Sequence, residues 1–152
     1  ADNNDCALIL TLIRELAEFE GLLREVQTDA ETLQQHLFGP IPRAFVLIAE
    51  VDGQTAGFAL YFFNFSTFLG RPGLYLEDLY VRPQFRGHGY GRSIMRRLAR
   101  IALQNGCGRF EWWVLDWNAS AIAFYRSLGA VAMADWTVQR VSGDALRALA
   151  GD

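Results

Sequence analysis

"VRPQFRGHGYGRSI", residues 81–94, sets Gly87, Gly89 and Gly91 at alternate positions among arginines, directly after a strand-like run and directly before an amphipathic segment. Glycines so spaced let a backbone come close to an anion, and a helix that starts there offers N–H groups with no partner inside the helix. A dinucleotide-binding fold needs G-x-G-x-x-G after its first strand and an acidic residue about 20 positions on. Here the spacing is G-x-G-x-G, the preceding strand is not the first, and Asp116 arrives by a longer path. A Walker loop needs a lysine before Ser or Thr, and the chain contains none. Two possibilities remain for the stretch by itself: a pyrophosphate held at a helix N-terminus, or a flexible glycine turn with no ligand.

Outward from the loop the periodicity changes several times. "GLYLEDLYV" before it is a strand that ends at Pro83, which cannot continue a central ladder. After it, Ile94, Leu98, Ile101 and Ala102 mark a helix over about 91–105 with Gly106 as its stop. "RFEWWVLDW" follows as a strand and "NASAIAFYRSLG" as a helix with Asn118 as N-cap and Gly129 past its end. A last strand is expected over about 131–141. Toward the N-terminus, "AFVLIAEV" and "TAGFALYFFNF" are β-rich runs on either side of "DG", a strong hairpin signal. Ile9, Leu12, Ile13, Leu16 and Phe19 share one face of a first helix, and Thr28 with Glu31 has capping-box spacing for a second. The expected class is α+β: two helices, an antiparallel meander, then a strand-helix-strand-helix-strand passage. The whole chain, 1–152, reads as one domain without repeat or linker.

Composition narrows the function. Half of the 152 residues are apolar and only four are proline, as in a compact globule. No apolar run nears the ~20 residues of a membrane span, and "ADNNDCALIL" lacks the basic start of a secretory signal, so a cytoplasmic protein without membrane partners is expected. The net charge of -3 argues against nucleic acid as a partner. Arg82, Arg86, Arg92, Arg96, Arg97 and Arg100 nevertheless crowd the loop, while Glu15, Glu18, Glu20, Glu25, Asp29 and Glu31 load the N-terminal region. One part suits an anion and the other a cation. Cys6 and Cys107 have no metal-ligand spacing, no metal is expected, and both read as bystander thiols.

Glu77 and Asp78 are adjacent in the middle of a strand, so alternation sends their side chains to opposite faces and turns one inward. An inward carboxylate costs free energy unless it is used or paired, and a buried structural ion pair is the plain alternative. His88 lies inside the glycine loop and reads as a solvent-facing imidazole. "NAS" at 118–120 matches a glycosylation sequon but opens a helix.

"RGHGYG" carries R-x-x-G-x-G through Arg86, Gly89 and Gly91. With "LYLEDLYV" before it and "LDWNASAIAFYRSLGA" after it, the chain resembles the GNAT superfamily of acyl-CoA N-acetyltransferases. "LIRELAEFE", "YFFNFSTFLGR" and "YLEDLYVRPQFRGHGYG" are similar to the branch of diamine N-acetyltransferases and thialysine N-epsilon-acetyltransferases, over nearly the whole chain. The resemblance implies a GNAT fold, a mixed sheet whose strands splay to admit acyl-CoA, and a homodimer. It also implies a short strand ahead of residue 1 carrying Arg-Pro or Arg-x-Ala. The cosubstrate would be acetyl-CoA and the partner a small-molecule amine.

Residue by residue, the resemblance implies that the pyrophosphate rests on the backbone of Arg86, Gly87, His88, Gly89, Tyr90, Gly91 and Arg92. Pantetheine would pair with Leu79, Tyr80 and Val81 like an added strand, with Asn118 and Phe124 also against the cofactor, although Asn118 has an equal and compatible role as helix N-cap. Tyr125 would be the general acid for the departing sulfur, and Glu77 the base, acting through water. Apart from the resemblance, Tyr125 reads as a packing residue between helix and sheet. Phe19 and Glu20, with Glu77 and Asp78, would line the amine channel. Polyamine enzymes place an acidic residue in the loop that here reads "NFSTFLG". Ser66 and Thr67 stand there instead, which favours a thialysine- or lysine-like amine over spermidine or spermine. An acyl-CoA-binding module without turnover is the other alternative.

Overall fold

The computed structural model describes residues 1–151 and divides the chain into two compact units, Ala1–Trp113 and the remainder from Val114. The first holds helices α1 (Cys6–Phe19) and α2 (Ala30–Phe38), strands β1 (Phe45–Val51), β2 (Gln54–Ser66) and β3 (Arg71–Val81), helix α3 (Tyr90–Gln104) and strand β4 (Arg109–Trp112). The four strands form one sheet in the order β1-β2-β3-β4, antiparallel up to β3 and parallel between β3 and β4. Asp52 (φ 50) and Gly53 (φ 74) both take left-handed backbone at the first turn, which is why the "DG" dipeptide closes the hairpin.

One face of the sheet meets α1 and α2. Ile9, Leu12, Leu37, Val46, Phe58 and Tyr80 form that core, and burying each large apolar side chain contributes about 1.5–3 kcal/mol. Tyr61, Leu74 and Leu76 point the other way by strand alternation and are buried. Helix α3 contacts all four strands and contributes Ile94, Met95, Leu98, Ile101 and Ala102 to the buried layer. Cys6 is buried and Cys107 half-buried, both free.

Three expectations change. The cap of α2 is Asp29, whose carboxylate accepts from Thr32 N at 2.8 Å, one residue later than the Thr28 box. Strand β4 stops at Trp112, short of the expected run to 117. No strand forms over 131–141, where the chain is exposed and irregular. β-Propensity is realised only against a neighbour, and this segment pairs with none. The second unit instead consists of helix α4 (Ala119–Ser127) and helix α5 (Gly143–Ala150) with this segment between them. Among the described residues no helix is long and apolar enough to cross a membrane.

Candidate active site

At the end of β3 the chain makes one tight turn, Pro83–Phe85, and enters the glycine loop. Gly87 (φ 80) and Gly89 (φ 84) are left-handed, and open space surrounds the position where either would carry a Cβ. Gly89 caps α3 with no side chain bonding the first turn. The leading N–H groups of a 15-residue helix therefore face outward with the positive end of its dipole, which suits an anion. His88 Nδ1 lies 2.9 Å from the Arg86 carbonyl and its ring stacks on Tyr90, so the exposed imidazole shapes the loop.

The Arg86 side chain turns away from the loop. Its Nε donates to the Val81 carbonyl at 2.8 Å, and its guanidinium lies over the Phe19 ring at 4.7 Å and the Tyr80 ring at 5.6 Å. Loop, strand and the end of α1 are thereby tied together. A second tie lies one turn earlier on α1. Arg82 donates Nε to Glu15 at 3.0 Å and Nη2 at 2.8 Å, a bidentate pair, and Nη1 to the Thr55 carbonyl at 3.1 Å. Arg82 was legible only as one of the loop arginines. Its partner Glu15 follows from the packing of α1 on β3, which no local spacing signals.

β3 and β4 pair only from Gly73–Arg109 to Leu76–Trp112. From Glu77 to Val81, β3 has no strand on that side among the described residues; Leu79 and Val81 turn their backbone groups to that open side, where the Val81 carbonyl accepts from Arg86 Nε. The Tyr80 side chain is buried in the core, and its backbone faces β2, as does that of Arg82, whose N–H donates to the Ala56 carbonyl.

The carboxylates sit where the ladder slips. Leu60 pairs with Asp78 but Tyr61 pairs with Leu76, so Glu77 is the extra residue of a β-bulge. Simple alternation fails at this step. Asp78 falls on the face of Leu60, Phe58 and Tyr80, toward α1, and Glu77 stays exposed. Asp78 is half-buried with no hydrogen bond or ion pair among the described residues. Burial first, and then the charges of Glu77 and Glu20, push its carboxyl up to about 7. Glu20, just past α1, is also half-buried, and burial raises it too.

The structure thus brings Phe19, Glu20, Glu77, Asp78, Tyr80 and Arg86 together in the first unit. Asn118, Phe124 and Tyr125 stand on α4 in the second. Asn118 caps that helix, its Oδ1 accepting from Ala121 N at 3.1 Å, and the Phe124 and Tyr125 rings lie 5.3 Å apart. Ser66 stands in the loop where polyamine enzymes place an acidic residue. It is only 4% exposed, and its Oγ accepts from Leu69 N at 3.3 Å inside the β2–β3 turn. At about 3.3 Å per residue, the turn lies roughly 23 Å along β3 from Asp78.

Residues 9–130 match the model of the acetyltransferase (GNAT) family. A thialysine N-epsilon-acetyltransferase of Mus musculus is 42% identical over 99% of this chain and 95% of its own length. A spermidine/spermine N(1)-acetyltransferase-like protein of Homo sapiens is 38% identical over 86% of this chain and 20% of its own. Among solved structures, an integron cassette protein from the mobile metagenome of V. cholerae superposes with a TM-score of 0.82 at 26% identity, covering 100% of this chain and 95% of that one.

Proposed function

Because the chain belongs to the acetyltransferase (GNAT) family and is an N-acetyltransferase, we propose that it moves the acetyl group of acetyl-CoA to the side-chain amine of a small lysine-like molecule such as thialysine. One observation carries the amine half of this assignment: Glu20, Glu77 and Asp78 converge with no arginine paired to any of them among the described residues. Uncompensated carboxylates at one place cost free energy that a cationic substrate removes.

The residues of the loop and strand edge fit acetyl-CoA. Amides from Arg86 through Arg92 would hold the pyrophosphate on an uncapped helix end with open space at Gly87 and Gly89. Leu79 and Val81 would bond the pantetheine amides along the open side of β3, and Asn118 and Phe124 would border the cosubstrate. The thioester supplies an activated acetyl group. Tyr125 is assigned as proton donor to the departing sulfur, and the Glu77–Asp78 pair takes the incoming ammonium, with Glu77 at the position of the water-assisted base. Phe19, propped by Arg86, forms an apolar wall beside it.

Spermidine or spermine is the second assignment, favoured by the human relative. Against it stands the absence of an acidic residue at Ser66 and Thr67, where polyamine enzymes place one. Initial rates with thialysine, lysine, spermidine and spermine, followed by thiol release from acetyl-CoA, decide between them. A higher kcat/KM for thialysine is expected. A tenfold advantage for spermine would reverse the assignment, and thiol release from none of the four would end it.

A further inference from the structure

The sheet face that carries Asp78 continues past the carboxylates. β2 runs on from Leu60, the partner of Asp78, through Phe62 to Asn64, and alternation keeps all three on that face. Phe62 pairs with Tyr75, and across the parallel ladder Tyr75 pairs with Glu111, with Arg109 two residues before it on the same side. The core under α1 and α2 includes Leu60 but not Phe62. Beyond it lies an aromatic floor, with the Phe62 and Tyr75 rings 5.0 Å apart and the Tyr75 and Trp113 rings 5.9 Å apart. At its edge stand two opposite charges, Arg109 Nε 2.8 Å from Glu111 Oε1. All of these residues belong to the first unit.

We infer that Arg109 and Glu111 form a subsite for the α-amino-carboxylate end of the amine substrate, Arg109 taking the carboxylate and Glu111 the α-ammonium. This rests on the lysine-like substrate assigned above and extends it to the end of the molecule that does not react. The plain alternative is a structural ion pair, which should be hydrogen-bonded throughout. It is not: the Nε–H does not point along its short contact with Glu111 and has no hydrogen-bond partner, and neither has the buried Oδ1 of Asn64 on the same face. Of the other Arg109 donors, Nη2 is engaged by the Phe65 carbonyl at 3.3 Å. Both charged side chains still reach solvent, 36% and 38% exposed.

The dimensions agree. Glu111 is level with Tyr75, which lies about 10 Å along β3 from Asp78. An extended lysine-like chain spans roughly 6 Å from its reacting nitrogen to its α-carbon, and the side chains of Asp78 and Glu111 reach inward from either end. A free amino acid offers one charge of each sign at that distance, and a carboxylate fits the planar fork of an arginine. A polyamine offers only cations there, which Arg109 disfavours.

The test compares thialysine with its decarboxylated diamine, which keeps both amines and lacks only the carboxylate. The unmodified protein is expected to show a kcat/KM about tenfold or more higher for thialysine, a comparison that depends on no variant's folding. Arg109→Gln should bring the two compounds within about twofold by raising KM for thialysine, with kcat within about threefold and KM for acetyl-CoA unchanged; Arg109→Lys should restore part of the preference. Glu111→Gln should raise KM for thialysine about tenfold and leave that of its α-N-acetyl derivative as it was. A preference that persists in Arg109→Gln overturns the inference, as does a Glu111→Gln variant in which thialysine and the acetyl derivative change alike. An unmodified protein that takes thialysine and the diamine equally well also overturns it, and leaves thialysine standing as a substrate. Lack of thiol release with either compound removes the lysine-like assignment as well.

Discussion

The Tyr125 hydroxyl, on the second turn of α4, is a single group whose removal separates packing from chemistry. Tyr125→Phe keeps the ring contact with Phe124 and deletes only the hydroxyl proposed as proton donor. The rate constant should fall about 10²- to 10⁴-fold while acetyl-CoA affinity stays within a factor of about two. Turnover that survives within threefold would place the acid elsewhere. At this scale the residue types of the site were legible, since two carboxylates side by side in an apolar strand had to turn one inward. Which one could not be read, because alternation presumes an unbroken ladder. The bulge depends on how Leu60 and Tyr61 register against β3, a pairing made across the sheet. The burial of Ser66 and its bond to Leu69 were likewise not legible, since they belong to the turn's own geometry.

The uncapped start of α3 belongs to the element rather than to any side chain. Replacing Gly89 with alanine forces a Cβ onto left-handed backbone, a strain of about 1–2 kcal/mol, and should distort the row of N–H groups enough to weaken acetyl-CoA binding about tenfold or more. Gly106→Ala carries the same kind of strain (φ 68) just past the other end of the helix, and calorimetry should find its acetyl-CoA affinity unchanged. Equal losses in both variants would mean that binding tracks stability and not the loop. Elements with strong local signals were read well: α1 over Cys6–Phe19, the hairpin at Asp52–Gly53, and α4 behind its Asn118 cap. The expected strand over 131–141 was not, since Val131, Met133, Trp136, Val138 and Val141 are residues common in strands but stay exposed, with no neighbouring strand to pair with among the described residues. Helix α5 opens at Ser142, a common cap residue, yet that serine makes no side-chain cap bond.

For the molecule as a whole, Asp78 makes stability depend on pH in an unusual direction for a carboxylate. Its folded-state value of about 7 lies above the ordinary value near 3.9, so the native chain binds the proton more tightly than the unfolded one. The contribution is complete below about pH 4 and is lost as pH rises to about 7. Asp78→Asn, which cannot ionise, should therefore melt above the unmodified protein at about pH 8, with the gap narrowing toward about pH 5. A constant gap in scanning calorimetry would mean that Asp78 titrates alike folded and unfolded. The bond between Glu15 and Arg82 adds a matter of timing. It joins positions 67 apart, so at roughly 5–20 residues per second a ribosome makes the first helix some 3–13 s before the arginine that fastens it. During that interval the nascent chain has neither the tie nor the loop beyond it. The glycine-loop end of α3 is thus among the later features of its unit to be set, and a newly made chain that retained acetyl-CoA there, as proposed, would already have finished folding at that end.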